Sequence, residues 1–316
     1  MNNAALAQAV RKAAKPKFYG HRTLKSKIAT HFPENLAREY MRIANAYMTM
    51  LHKTLKEHLP DIRKAIAAER EEQYRHDDDN SVMSVTSQAF MRIIRALERK
   101  SETFGLDRKL KKLADLNRKL SVRQWKRVVH NTLGLDIHED YYMGELFQTM
   151  MKVWTQNNID LIKTVEKDTL SNMRTIVEEG YRTGKSNTAI GELIQEEYGI
   201  ERRRAQFIAR DQVAKLNSDL TQTQQQDAGV EEYVWSSSGD VRVRDCHQAF
   251  DGKKFKWSDP PMNWYDTKSR GRVDAGRYHP GQGIGCRCVA LPVFNIEGLS
   301  LPWEKRAQEQ EPSFGS

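Results

Sequence analysis

The hydrophobic period of this chain changes near Gly229, and the change separates two kinds of structure. Before it, apolar residues return every three or four positions, the mark of helices that each bury one face. Ala37, Met41, Ala44, Met48, Leu51 and Leu55 wind a narrow seam from Glu34, with Tyr40 and Tyr47 beside it, and Pro60 is expected to end that helix. Ala89, Ile93, Ile94 and Leu97 share the next face, and Leu110, Leu113, Leu116 and Leu120 another; Trp125, Val128, Val129 and Leu133 carry the pattern to Gly134. Further on, Leu146, Met150, Val153, Trp154, Leu161 and Val165 predict one helix, and Leu170, Met173, Ile176 and Val177 a second. Ile190, Leu193 and Ile194 predict a third, and Ala205, Ile208, Ala209, Val213, Leu216 and Leu220 a long fourth from Glu201 to about Gln226. Thr183-Gly184-Lys185-Ser186 has the ending of a Walker loop, but Glu179 stands where the first glycine belongs and a helix precedes it where a strand is needed. Gly184 therefore reads as a turn and Ser186 as an N-cap.

After Gly229, Tyr233-Val234-Trp235 reads as a strand, Phe250 to Phe255 as a hairpin turning on Asp251-Gly252, Ser258 to Gly285 as irregular, and Cys286 to Phe294 as a closing strand. The fold class expected is α+β, predominantly helical in its N-terminal two-thirds with a small loop-rich α/β module at the C-terminal end. Five segments are expected: a basic arm at 1–33, a helical region at 34–140, a second helical block at 141–229, the small module at 230–294, and a flexible tail at 295–316. A mean hydropathy of −0.74 fits long, solvent-wrapped helices better than one large core. The charge-dense run from Glu69 to Ser81, with Asp77, Asp78 and Asp79 together, reads as a solvated linker or exposed helix end.

All three cysteines and two of the nine histidines fall in the small module: Cys246, His247, His279, Cys286 and Cys288. Soft nitrogen and sulfur donors crowded into a loop-rich segment suit a four-coordinate structural zinc. Along a strand, Cys286 and Cys288 would share a face while Arg287 points away. Gly281, Gly283 and Gly285 allow the tight bend such a site needs, and His279 lies close enough upstream to return to it. Adjacent helical residues diverge by about 100 degrees, so one of Cys246 and His247 faces the metal and the other does not. The plain alternative is a core of buried thiols and hydrogen-bonded imidazoles. Asp240, Arg242 and Arg244 alternate, and their expected role is architectural: Asp240 caps the helix that holds His247, and an arginine fork pairs with Asp245, Asp251 or a main-chain carbonyl. No nucleophile and general base stand out as a pair, so no catalytic residue is assigned and an enzyme is not expected.

The chain carries a formal charge of +9, which makes a polyanion a plausible neighbour. From Met1 to Pro33 there are seven basic residues and no acid: Arg11, Lys12, Lys15, Lys17, Arg22, Lys25 and Lys27. They are candidates for contact with duplex DNA through its phosphates, without sequence preference, since base-reading motifs are lacking. An odd number of cysteines and the lack of a hydrophobic signal sequence point to a reducing cytoplasm. No apolar run approaches the roughly 18 residues of a membrane span.

In order, the module reads Trp235, Asp240, Arg242, Arg244, Cys246-His247, Asp251-Gly252 with Phe255, His279-Pro280-Gly281, and Cys286-Arg287-Cys288, preceded by the helix with Ala209-Arg210-Asp211-Gln212. This string resembles the phage head morphogenesis family, the minor head proteins of tailed bacteriophages typified by the Mu F protein, over roughly residues 145–293. The resemblance implies a virion component in the head interior at the portal vertex. Its implied partners are the portal protein, procapsid components and packaged double-stranded DNA, whose ejection some members affect. The family pattern places His or Cys at position 247 more often, which selects His247 as the ligand beside His279, Cys286 and Cys288. Some relatives carry an appended toxin or transferase domain, and the short stretch after the module predicts none here. The competing reading is a metal-dependent nuclease in which His247 and His279 hold a divalent ion over a phosphodiester.

Overall fold

The structure is a computed structural model that describes residues 3–73, 85–267, 269 and 271–301. Asp77, Asp78 and Asp79 and the tail beyond residue 301 lie outside the described residues. The architecture is α+β, as expected, with long helices first and the strand-bearing module last. It divides into two compact units, one of residues 34–116 and 150–213, the other of residues 1–33, 117–149 and 214–316.

The first unit is helical. It takes in α2 (Glu34–Gln73), α3 (Val85–Phe104) and parts of α4 (Leu106–Leu133), α5 (Glu145–Arg182) and α6 (Asn187–Asp227). The seam of α2 is buried as its spacing predicts, through Tyr40, Ala44, Tyr47, Met48, Leu51 and Leu55. Pro60 does not end it: α2 runs through the proline to Gln73, because Ile62 and Ala65 extend the buried face beyond that point. The cost is local, one missing N–H for the carbonyl a turn earlier. The two helices expected between 145 and 180 are one. Trp154, Asn158, Ile162, Val165, Thr169, Met173 and Val177 form a continuous buried stripe along α5. The polar members hid it, and each is satisfied: Asn158 accepts from Tyr40 Oη at 2.9 Å and donates to the Trp154 carbonyl, and Thr169 donates to the Val165 carbonyl at 2.6 Å. Leu146 and Val153, expected in the seam, are exposed. The break expected near Glu201 is likewise absent, and α6 is unbroken from Asn187 to Asp227. The turn before it matches expectation. Gly184 is left-handed, with φ of 73°, and Ser186 Oγ accepts the Ala189 N–H at 3.2 Å. Gly180 is needed there too, since a Cβ would lie 2.7 Å from Ile190.

The second unit contains the module. A sheet of order β1-β6-β2-β3 is formed by β1 (Thr23–Lys25), β2 (Glu232–Ser236), β3 (Lys254–Lys256) and β6 (Val289–Asn295), all neighbours antiparallel. The N-terminal segment expected as a basic arm with little core-forming power is folded. Helix α1 (Asn3–Ala14) and the turn after it bury Val10, Ala14 and Phe18, spaced four apart, and β1 pairs with β6 from Thr23↔Asn295 to Lys25↔Val293. Trp125 stacks on Phe294 at 5.9 Å and donates to Tyr142 Oη at 2.8 Å. The C-terminal half of α6 carries the module on buried polar side chains. Gln225 donates to the Ala290 carbonyl and accepts from Trp257 Nε1, and Ser218 donates to the Pro280 carbonyl at 2.6 Å. Asp251-Gly252 is not a hairpin turn; it links α7 (Asp245–Phe250) to β3, which pairs with β2 instead. The segment expected to be irregular holds a hairpin, β4 (Met262–Thr267) with β5 (Gly271–Arg277), whose register shifts at Asn263/Trp264. Among the described residues no helix is long and apolar enough to cross a membrane.

Candidate metal centre

Helix α7 is less than two turns long and presents adjacent Cys246 and His247, both buried. Asp240 does not cap it. The N-cap is Arg244, which makes no side-chain cap bond, while Asp240 lies five residues before the helix and accepts the Arg242 N–H at 3.0 Å in a turn of its own. Its carboxylate also pairs with Arg287. Desolvation raises the Asp240 carboxyl, but the Arg242 N–H and the Arg287 guanidinium outweigh that and hold it below the usual carboxylate range. Arg244 donates to the Ile284 carbonyl, one of the roles expected for the arginine fork, and Arg242 is exposed. Asp251 accepts the Ser237 N–H at 2.7 Å, and Gly252 takes the left-handed conformation, φ 76°, that lets the chain leave α7 for β3. These bonds tie the loop before α7 to the segment that carries the cysteines.

His247, Cys286 and Cys288 converge. The imidazole Nδ1 lies 3.6 Å from Cys286 Sγ and 3.5 Å from Cys288 Sγ, with all three side chains buried. The two cysteines lie in the loop just before β6 rather than on the strand, with Arg287 between them turned to Asp240. His247 Nε2 meets Asn263 Oδ1 at 2.8 Å, and the Asn263 amide nitrogen donates to the Pro261 and Tyr278 carbonyls at 3.0 and 3.1 Å. Those two carbonyls fix which end of the carboxamide faces the ring. The oxygen does, so Nε2 carries the hydrogen and Nδ1 is the ring nitrogen that faces the sulfurs. The register shift at Asn263 is what aims this side chain inward from an otherwise exposed hairpin.

The sulfurs sit among groups that favour thiolate. The Gly281 N–H donates to Cys286 Sγ at 3.3 Å. Hydrogen bonding with Cys288 holds the Cys286 thiol well below its usual range against the effect of burial. Cys288 is pushed up, first by Cys286 and then by burial. The buried Trp235 indole N–H has no hydrogen-bond partner and lies in the same buried cluster as both sulfurs. Tyr233, Trp257 and Ala290, with Phe250 and Phe255, complete an apolar shell.

His279 departs from the expected ligand set. Its Nδ1 pairs with Tyr233 Oη at 2.9 Å, its ring packs 4.7 Å from that of Trp257, and burial lowers its basicity against a backbone hydrogen bond at Trp257. Among the described residues, the donors that gather within 4.8 Å of one another are those of His247, Cys286 and Cys288. Buried partners for both sides of the ring explain why proximity in sequence did not bring His279 in. Asn263 and the Trp235 N–H were missed by sequence reasoning, and a bulge that turns one asparagine inward has no periodic signal. Arg11, Lys12, Lys15, Lys17, Arg22, Lys25 and Lys27 are all exposed and lie apart from these elements, on α1, β1 and the chain around them. Two of them have protein partners: Arg22 pairs with Glu297 at 2.7 Å, and Arg11 donates to the Leu299 carbonyl.

The chain is similar to an uncharacterized protein of Haemophilus influenzae, 27% identical over 219 residues, 69% of this chain and 46% of the relative. It thus spans about half the length of the relative it matches. No solved structure matches. The family model described as Phage Mu protein F like protein matches residues 171–291, a stretch that holds the C-terminal part of α5, all of α6, the Trp235 strand, His247, Asn263 and both thiols. Over this region the chain is similar to the Mu F-like family.

Proposed function

We propose that this protein is a minor head protein of a tailed phage that joins the procapsid at the portal vertex and contacts packaged DNA through phosphates. The observation that carries the reading is the Mu F-like match over residues 171–291, which supports a role in phage head morphogenesis. Portal association, entry into the head and an effect on ejection extend it. The charge of +9 and the exposed lysines Lys12, Lys15 and Lys25 fit contact with a polyanion that is read for charge and not for sequence. The nuclease reading required His247 and His279 on one ion, and these two side chains have different partners. Mass spectrometry of purified procapsids and virions tests the assignment. The protein is expected in particles together with portal, at a fixed ratio to it; recovery only from the soluble fraction, with none in either particle, overturns it.

A further inference from the structure

We propose that His247, Cys286 and Cys288 hold one zinc ion, with His279 outside its coordination sphere. A tetrahedral zinc with bonds of about 2.0 Å to nitrogen and about 2.3 Å to sulfur sets nitrogen–sulfur edges of about 3.5 Å. The two such edges here are 3.5 and 3.6 Å. The ligand nitrogen is prepared by a carboxamide that is itself locked by two carbonyls, the arrangement that orients metal-bound imidazoles. An independent feature points to the same atoms. The Trp235 indole, 1% exposed and in the same buried cluster as both sulfurs, has an N–H with no hydrogen-bond partner, and the Gly281 N–H donates to Cys286 Sγ at 3.3 Å. A buried donor of this kind is costly to leave unmade, and it is well matched to a thiolate whose charge is retained because it binds a cation. The donor set of two thiolates and one imidazole suits zinc over magnesium or calcium, which take oxygen. His247 and Asn263 also line a cleft of about 660 Å³. Zinc takes both sulfurs as thiolates, and whatever protons they carry pass to solvent.

The test uses the full chain, purified under reducing conditions without chelator. Elemental analysis is expected to find about one zinc per chain, and X-ray absorption two sulfur ligands with the remainder nitrogen or oxygen. His279→Ala is expected to keep the zinc. Cys286→Ser and His247→Ala are expected to lose it. Because those variants could also unfold the module, Asn263→Ala supplies a second measurement: all three ligands remain, and competition with a chelator is expected to show zinc held about 10- to 100-fold more weakly. Protein that neither contains zinc nor takes it up from excess zinc chloride overturns the proposal. So does loss of zinc in a folded His279→Ala variant, and so does an Asn263→Ala variant with unchanged affinity.

Discussion

Asn263 Oδ1 accepts the Nε2 hydrogen of His247 at 2.8 Å, and this bond joins the β4–β5 hairpin to α7. Replacing Asn263 by Leu leaves the His247 N–H and the Pro261 and Tyr278 carbonyls without their partner in a buried site. Each such loss costs about 1–3 kcal/mol. Urea unfolding of the second unit is expected to shift to lower denaturant by the equivalent of at least about 2 kcal/mol; an unshifted midpoint shows that the hairpin is not held through this bond.

Pro60 sits at an exposed position inside α2. Alanine restores a main-chain donor and removes a residue that costs a helix interior about 3 kcal/mol in isolation. Pro60→Ala is therefore expected to stabilise the helical unit, by about 1–3 kcal/mol, and to raise its melting temperature. A fall in Tm indicates that the proline bends α2 into packing it would otherwise lose.

Two left-handed glycines distinguish strain from collision. Gly229, with φ of 73°, would place a Cβ 1.8 Å from the Gly298 carbonyl oxygen, whereas Gly239, with φ of 68°, has nothing within 4 Å. Gly239→Ala is expected to cost about 1–2 kcal/mol, the left-handed penalty alone. Gly229→Ala is expected to cost more, because backbone must move as well. Equal midpoints in denaturant for the two variants refute the difference.

Deletion of the first 30 residues is a poor test of DNA contact, since it removes β1 and the buried Val10, Ala14 and Phe18. Charge neutralisation is cleaner. If Lys12, Lys15 and Lys25 contact duplex phosphates, changing all three to Gln is expected to reduce the slope of log affinity against log salt by about 0.9 for each lysine. An identical slope places DNA contact elsewhere.

His279 is less basic in the fold than its ordinary 6.5 because burial disfavours the imidazolium. Its folded value is thus below its unfolded one. At pH above 6.5 both states are neutral, and as pH falls below 6.5 the unfolded chain takes up a proton that the folded chain resists. Stability is expected to decline on acidification in that window, and His279→Gln is expected to flatten the decline. Parallel pH profiles of Tm for wild type and variant exclude His279 as its source.

The helical seams of α2 and α6, the Tyr233-Val234-Trp235 strand and the α+β class were legible because each depends on side chains a few residues apart, where helix and strand periods act. The crowding of soft donors at His247, Cys286 and Cys288 was legible for the same reason, as residue types in a short span. Three decisions belonged to tertiary structure. Buried Asn158 and Thr169 complete a stripe that reads as broken until Tyr40 and the helix's own carbonyls satisfy them. The basic N-terminal segment is ordered by β6, a partner at the far end of the chain, and no local pattern announces such a pairing. At the centre, spacing admitted His279 and gave no sign of Asn263, and hydrogen bonding decided the place of each. Tyr233 and Trp257 engage the histidine, while the hairpin bulge turns the asparagine onto His247, since buried polar atoms go where their partners are and not where the sequence interval would allow.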